Sequence, residues 1–258
     1  MLLVNIKLLI LCLIVFIIFK YIIYDFNFFN DNSPSISIYL PIYNKEKYLL
    51  KSIKSIQMQS LRNIEILAVN DYSNDNSLKI IKELAKNDSR IKIINNNKNR
   101  GLLYTRGMGI FHSSGKYLMN LDPDDEFSSS NDLQYLYDII KKTKVDFISF
   151  AYLEKNETKI KCSKFNKIIT QPKLFKSIFN SENNYVEDFL LWNKIVKKNL
   201  LIKAYKLFEN KIYSKKWNYG EDTVWSILIN LVYLMFFPVN HKSKQKVIFI
   251  PKTTYLID

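Results

Sequence analysis

Residues 121–126 read Leu121-Asp122-Pro123-Asp124-Asp125-Glu126, directly after the apolar Tyr117-Leu118-Met119. An apolar run that ends in clustered acids predicts a buried strand that delivers charge to the edge of a sheet. Carboxylates this close in sequence repel one another unless a cation sits among them. Hard oxygen donors of this kind suit Mg²⁺ or Mn²⁺, which keep positions open for water and for substrate phosphates. The stretch therefore points to a metal-bridged phosphate site. A solvated acidic turn, bent by Pro123, is the alternative reading of so short a motif, and the flanking chain has to choose between the two.

Upstream, strand-like and helix-like patterns alternate. Strands are predicted at 35–40, 64–69, 91–94 and 116–121, and helices at 47–59, 77–86 and 102–111. This alternation predicts an α/β fold built on a mostly parallel sheet, flanked by helices. Ligands of such sheets bind beyond the carboxyl ends of the strands. Three predicted strand ends carry polar groups: Tyr43-Asn44, Asp71, and the acids Asp122 to Asp125. Downstream, a helix at 131–142, a strand at 145–152, a helix at 197–205 and a strand at 246–250 are expected, with residues 190–194 leading into the second of these helices. The apolar run 224–237 contains Ser226 and Asn230 and stops at Pro238, which suits a buried core helix better than a membrane span.

At the other end, residues 8–19 are uninterruptedly apolar. With residues 2–4 and 21–24 the run is long enough to span a bilayer if Lys7 and Lys20 snorkel. No small-residue cleavage site follows, so a retained single-pass anchor at 1–29 is expected, then a polar linker at 30–34 and a folded domain at 35–258. The anchor places the protein at the plasma membrane in a bacterium, or in the Golgi or endoplasmic reticulum in a eukaryote. The net charge of +14 comes from lysines scattered along the chain, and no zinc-finger, helix-turn-helix or RNA-recognition pattern accompanies it. No nucleic-acid partner is expected. Cys12 and Cys162 cannot form a disulfide framework, because Cys12 lies inside the apolar segment.

No glycine-rich dinucleotide fingerprint or P-loop follows the first strand, so a diphosphate would have to be neutralised by metal and side chains. Residues 37–44, Ser-Ile-Tyr-Leu-Pro-Ile-Tyr-Asn, resemble the opening strand and P-x-Y-N motif of family 2 glycosyltransferases with the GT-A (Rossmann-like) fold. Residues 65–73 resemble that family's E-I-I-V-V-D-D-G-S, 101–109 its G-x-x-x-A-R-N-x-G, and 115–125 its G-x-Y-x-x-x-L-D-x-D-D. Trp192-Asn193-Lys194 and Gly220-Glu221-Asp222-Thr223 resemble the W-N-K and G-E-D-T of members that build bacterial capsule-like glycans. The chain departs from the pattern at Asn70, Tyr72, Thr105 and Gly107.

The resemblance implies a membrane-anchored, inverting glycosyltransferase (hexosyl or N-acetylhexosaminyl) that uses a nucleotide-diphosphate sugar, with UDP expected. Within the catalytic domain at 35–258, residues 35–127 would bind the donor and 128–258 the acceptor, a hydroxyl on a glycan, a lipid-linked or a protein acceptor. It implies that Pro41 and Tyr43 line the base pocket, that Asp71 accepts a hydrogen bond from the base, and that Asp122 touches the ribose or the sugar. Asp124, with Asp125 as the alternative or partner, would hold Mn²⁺ or Mg²⁺. Arg106 is either a second cation beside the diphosphate or a structural arginine. Asp222 would be the general base, positioned by Glu221, and Trp192 would stack on an acceptor sugar or belong to the core. The rival readings are a non-catalytic, membrane-tethered glycan- or partner-binding domain and a nucleotidyltransferase. The latter would carry a Gly-rich basic loop where this chain has Pro41-Ile42-Tyr43-Asn44.

Overall fold

The computed structural model describes residues 33–154, 194–212 and 247–257. The expected anchor, the apolar run 224–237, Trp192 and the Glu221-Asp222 pair lie outside the described residues. Among the described residues, no helix is long and apolar enough to cross a membrane.

The elements run β1 (Ile36–Ile42), α1 (Glu46–Gln57), β2 (Ile64–Asn70), α2 (Ser77–Asn87), β3 (Ile91–Asn95), α3 (Leu102–His112), β4 (Tyr117–Asn120), β5 (Glu126–Phe127), α4 (Asp132–Thr143), β6 (Phe147–Glu154), β7 (Lys194–Lys197), α5 (Lys198–Ile212) and β8 (Val247–Ile257). The strands form one mixed sheet in the order β3-β2-β1-β4-β7-β6-β8-β5. β1 pairs in parallel with β2 on one side and β4 on the other, and β2 pairs in parallel with β3. Beyond β4 the direction reverses: β7 is antiparallel to both β4 and β6, β8 is parallel to β6, and β5 is antiparallel to β8.

Burial on both faces explains why β1 and β2 read as continuous apolar runs. In β1, Ile36, Ile38, Leu40 and Ile42 join the core with Leu49, Ile53 and Ile56 of α1, Ile81 of α2, and Leu133, Leu136 and Ile140 of α4. Tyr39 projects to the opposite face, where α3 lies. Pro41 sits in a strand paired on both sides and still leaves no ladder bond unmade. Tyr39 accepts a bond from the Leu121 amide on the β4 side. Two residues on, Pro41 faces that same side, where the β4 ladder has already ended at Asn120.

Two strands were not anticipated. Residues 194–197 form β7, where the sequence suggests only a lead into a helix, and the two-residue β5 closes the acidic loop. Each is too short to carry a period of its own. Each is specified by pairing with strands distant in the chain.

Candidate active site

Because β1, β2 and β4 are neighbours running in one direction, their carboxyl ends bring three loops together. The first two loops are stapled to each other. The Asn44 amide donates to Ser73 Oγ (3.1 Å), and the Asn74 amide donates to Asn44 Oδ1 (2.9 Å). The Lys45 amide donates to Ser77 Oγ (2.9 Å). Asp75 accepts from the Glu46 amide (3.0 Å) and the Ser77 amide (2.9 Å), so one carboxylate caps the starts of α1 and α2 together. Glu46 answers by accepting from the amide and side chain of Asn76, each at 2.9 Å. Burial works to raise the Asp75 carboxyl, but hydrogen bonds from Ser77 and the backbone outweigh it and hold it below the ordinary range. The sequence reading singled out none of these staples; their only signal was the density of Asn, Ser and Asp at 70–77, which is turn chemistry.

Asp71, at the end of β2, is buried and accepts three bonds: from Asn96 Nδ2 and the amides of Arg100 and Gly101, each at 2.8 Å. It therefore organises the β3–α3 loop, while its oxygens keep lone pairs in reserve. Asn70, where the family pattern has Asp, uses both ends of its amide. Nδ2 donates to Asn95 Oδ1 (2.6 Å) and Oδ1 accepts from the Ser73 amide (3.3 Å), a pairing a carboxylate could not make. Beside Asp71, Tyr72 is 52% exposed and Tyr43 is 44% exposed, and Tyr72 has φ 61°, a left-handed conformation that suits the Gly of the family pattern better. Pro41 is buried in β1, two residues before Tyr43.

The acidic loop holds the main surprise. Asp122 takes both its oxygens to Arg106 Nη2 (2.9 and 3.2 Å) and also accepts from Asn120 Nδ2 (2.8 Å). Arg106 is only 1% exposed, so its guanidinium faces Asp122 and not solvent. Asp124 pairs with the Lys45 ammonium, and Glu126 Oε1 with Lys51 Nζ at 2.6 Å. Three cations of the chain itself, Arg106, Lys45 and Lys51, thus stand against these acids. Lys45 immediately precedes α1 and Lys51 lies on it, and α1 packs against β5.

The residues also fit a divalent ion, though not as a ready cage: among the described residues no three His, Cys, Asp or Glu side chains gather as one. Asp122 is committed to a buried guanidinium, and Asp125 is 5% exposed. Asp124 and its partner Lys45 are each one-third exposed. Asp124 is therefore the carboxylate open to a metal, in keeping with an ion that takes one or two carboxylates and completes its shell with substrate phosphates and water.

Residues 37–203 match the family described as Glycosyl transferase family 2. The chain is 31% identical over 223 residues to an uncharacterized glycosyltransferase of Haemophilus influenzae, covering 81% of this chain and 64% of that protein. It resembles the structure of Staphylococcus aureus TarS residues 1–349 in complex with UDP-GlcNAc, with 20% identity and a TM-score of 0.65, over 86% of this chain and 58% of the other. It also resembles the mannosyltransferase PcManGT of Pyrobaculum calidifontis in complex with GDP-Man and Mn²⁺, with 14% identity and a TM-score of 0.54, over 87% of this chain and 56% of the other. The chain thus spans less than two thirds of each of these proteins. At these identities the two structures establish the fold.

Proposed function

The chain belongs to glycosyl transferase family 2, and on that footing we propose that it transfers a sugar from a nucleotide-diphosphate donor, with UDP expected, to a hydroxyl of a glycan, lipid-linked or protein acceptor, inverting the anomeric configuration at a membrane to which residues 1–29 anchor it. One observation carries the reading: Tyr43, Asp71, Asp122 and Asp124 arrive together at the carboxyl ends of three adjacent parallel strands. The UDP-GlcNAc bound by TarS and the GDP-Man and Mn²⁺ bound by PcManGT, on the same fold, support it.

In this reading Tyr43 stacks on the base over Pro41, and Asp71 accepts from it. Asp122, held rigid by Arg106, accepts from the ribose or sugar hydroxyls. Asp124 holds Mn²⁺ or Mg²⁺, which, when bound, offsets the charge developing on the diphosphate leaving group. Asp222 takes the proton from the acceptor hydroxyl as its oxygen bonds to the anomeric carbon and the bond to the diphosphate breaks. Glu221 positions Asp222, and Trp192 stacks on the acceptor sugar.

The test is hydrolysis of a panel of UDP-sugars by the purified chain, with and without Mn²⁺. Metal-dependent release of UDP is expected, lost in Asp124→Asn and largely kept in Asp125→Asn. In Asp222→Asn, donor binding should persist while transfer fails. Sugar-nucleotide binding with no hydrolysis under any metal would favour a non-catalytic binding domain, and an Asp124→Asn variant with full turnover would overturn the site.

A further inference from the structure

The two acidic positions of the site are neutralised in opposite ways. In the Arg106–Asp122 pair the cation is 1% exposed and bound through both carboxylate oxygens, while the carboxylate is 24% exposed. The Lys45–Asp124 pair stands one-third in water on both sides. A half-exposed ion pair contributes little and exchanges readily, whereas a buried one is costly to break. The Lys45 backbone is fixed at the start of α1 by its amide bond to Ser77 Oγ (2.9 Å), so only its flexible four-carbon stem has to move. The ring of Tyr48 lies 5.9 Å from the ammonium and offers it a second resting place.

We infer that Lys45 is a resident counter-ion of the metal position, competing with the divalent ion for Asp124 and leaving it when the ion and the donor's diphosphate arrive together. This rests on the proposal that Asp124 holds the metal. An ammonium and a divalent ion on one carboxylate repel each other, so a metal arriving alone has to evict Lys45. A diphosphate arriving with the metal gives the evicted ammonium an anionic partner. Metal and nucleoside diphosphate therefore bind with positive coupling, and Lys45 is the residue through which part of that coupling runs.

The experiment measures Mn²⁺ binding to the full chain from the loss of the free aqua-ion signal in electron paramagnetic resonance, with and without UDP. In Lys45→Met, Mn²⁺ alone should bind tighter by about fivefold, the scale set by a half-exposed ion pair, and the further tightening by UDP should shrink. Lys45→Arg, which keeps the charge, should stay near the wild type. Thermal unfolding confirms that each variant is folded, and Lys45→Gln replaces Lys45→Met should the latter not be. Unchanged Mn²⁺ affinity in the uncharged variant overturns the inference, as does a Lys45→Arg variant that behaves like it. Asp124→Asn separates the two levels. If it leaves Mn²⁺ binding intact, the metal position itself is wrong. If it abolishes binding while Lys45→Met changes nothing, only the role of Lys45 falls.

Discussion

Arg106 heads the largest side chains that the described core closes over, and a guanidinium in that position is tolerable only because Asp122 meets it with both oxygens. Removing Arg106 takes the guanidinium from Asp122, which is 24% exposed and keeps its bond from Asn120, so the cost falls at the low end of that for a buried pair. Arg106→Met should therefore lower the unfolding free energy by roughly 3 kcal/mol in urea titrations, and Arg106→Met/Asp122→Asn should recover part of that loss. A double variant no more stable than the single one would show that Asp122 is not the group Arg106 serves. Tyr72 poses the reverse case. It holds a left-handed φ of 61° with its ring 52% exposed. Relief of that strain, about 1–2 kcal/mol, exceeds the chain entropy that glycine adds to the unfolded state, about 0.5–1 kcal/mol. Tyr72→Gly should raise the melting temperature by a few degrees, and a lower one would mean that the exposed ring contributes packing of its own.

Among the elements, α3 lies tightest on the sheet. A methyl group at Gly109 would sit 2.8 Å from Cβ of Tyr39, closer than such atoms ever approach, and the obstacle is the base of a buried side chain that cannot swing aside. Gly109→Ala should push α3 off β1 and lower stability by about 1–3 kcal/mol, read from the denaturation midpoint. Asp122 should loosen with it, because Arg106 rides on the same helix, so donor affinity should fall in parallel. Most elements from β1 to α4 were legible in the sequence because each carries its own signal: doubly buried strands read as apolar runs, and α1 and α4 keep a clear apolar face. Legibility stopped where an element borrows its definition. β7 is four residues flanked by lysines, and becomes a strand only between β4 and β6. At the site, the residues that gather at the strand ends were legible, but their partners were not. That Lys45, just before α1, and Lys51, on it, reach the acidic loop depends on how α1 packs over β5, which no local pattern records.

For the molecule as a whole, one acid ties β1, β2, β3 and the turn before β4 together. Glu65, buried in β2, accepts from Ser37 Oγ of β1, from Lys92 Nζ of β3 (2.7 Å), and from the Ser114 amide, Ser114 Oγ (2.6 Å) and the Gly115 amide (3.1 Å) of the turn before β4. Burial alone would raise its carboxyl, but the bonds from Lys92, Ser114 and Ser37 prevail and bring it from 4.5 down to about 2. Asp88, bonded by Arg90 against a smaller cost of burial, also lies at about 2. Both groups are held below their unfolded values, so the unfolded chain binds protons first as the solution is acidified. The stability that Glu65 contributes is then complete above about pH 5, shrinks as pH falls through 4.5, and is gone once pH passes the folded value of about 2. A shift of this size corresponds to roughly 3 kcal/mol, reduced toward about 2 because the Lys92 ammonium is half in water. Urea midpoints measured between pH 7 and pH 3 should decline through that window in the wild type. Glu65→Gln, which keeps the shape and loses the charge, should start lower at pH 7 and decline less steeply below pH 5. A variant that matched the wild-type slope would move the origin of acid sensitivity to other carboxylates and leave Glu65 as one hydrogen-bond acceptor among many.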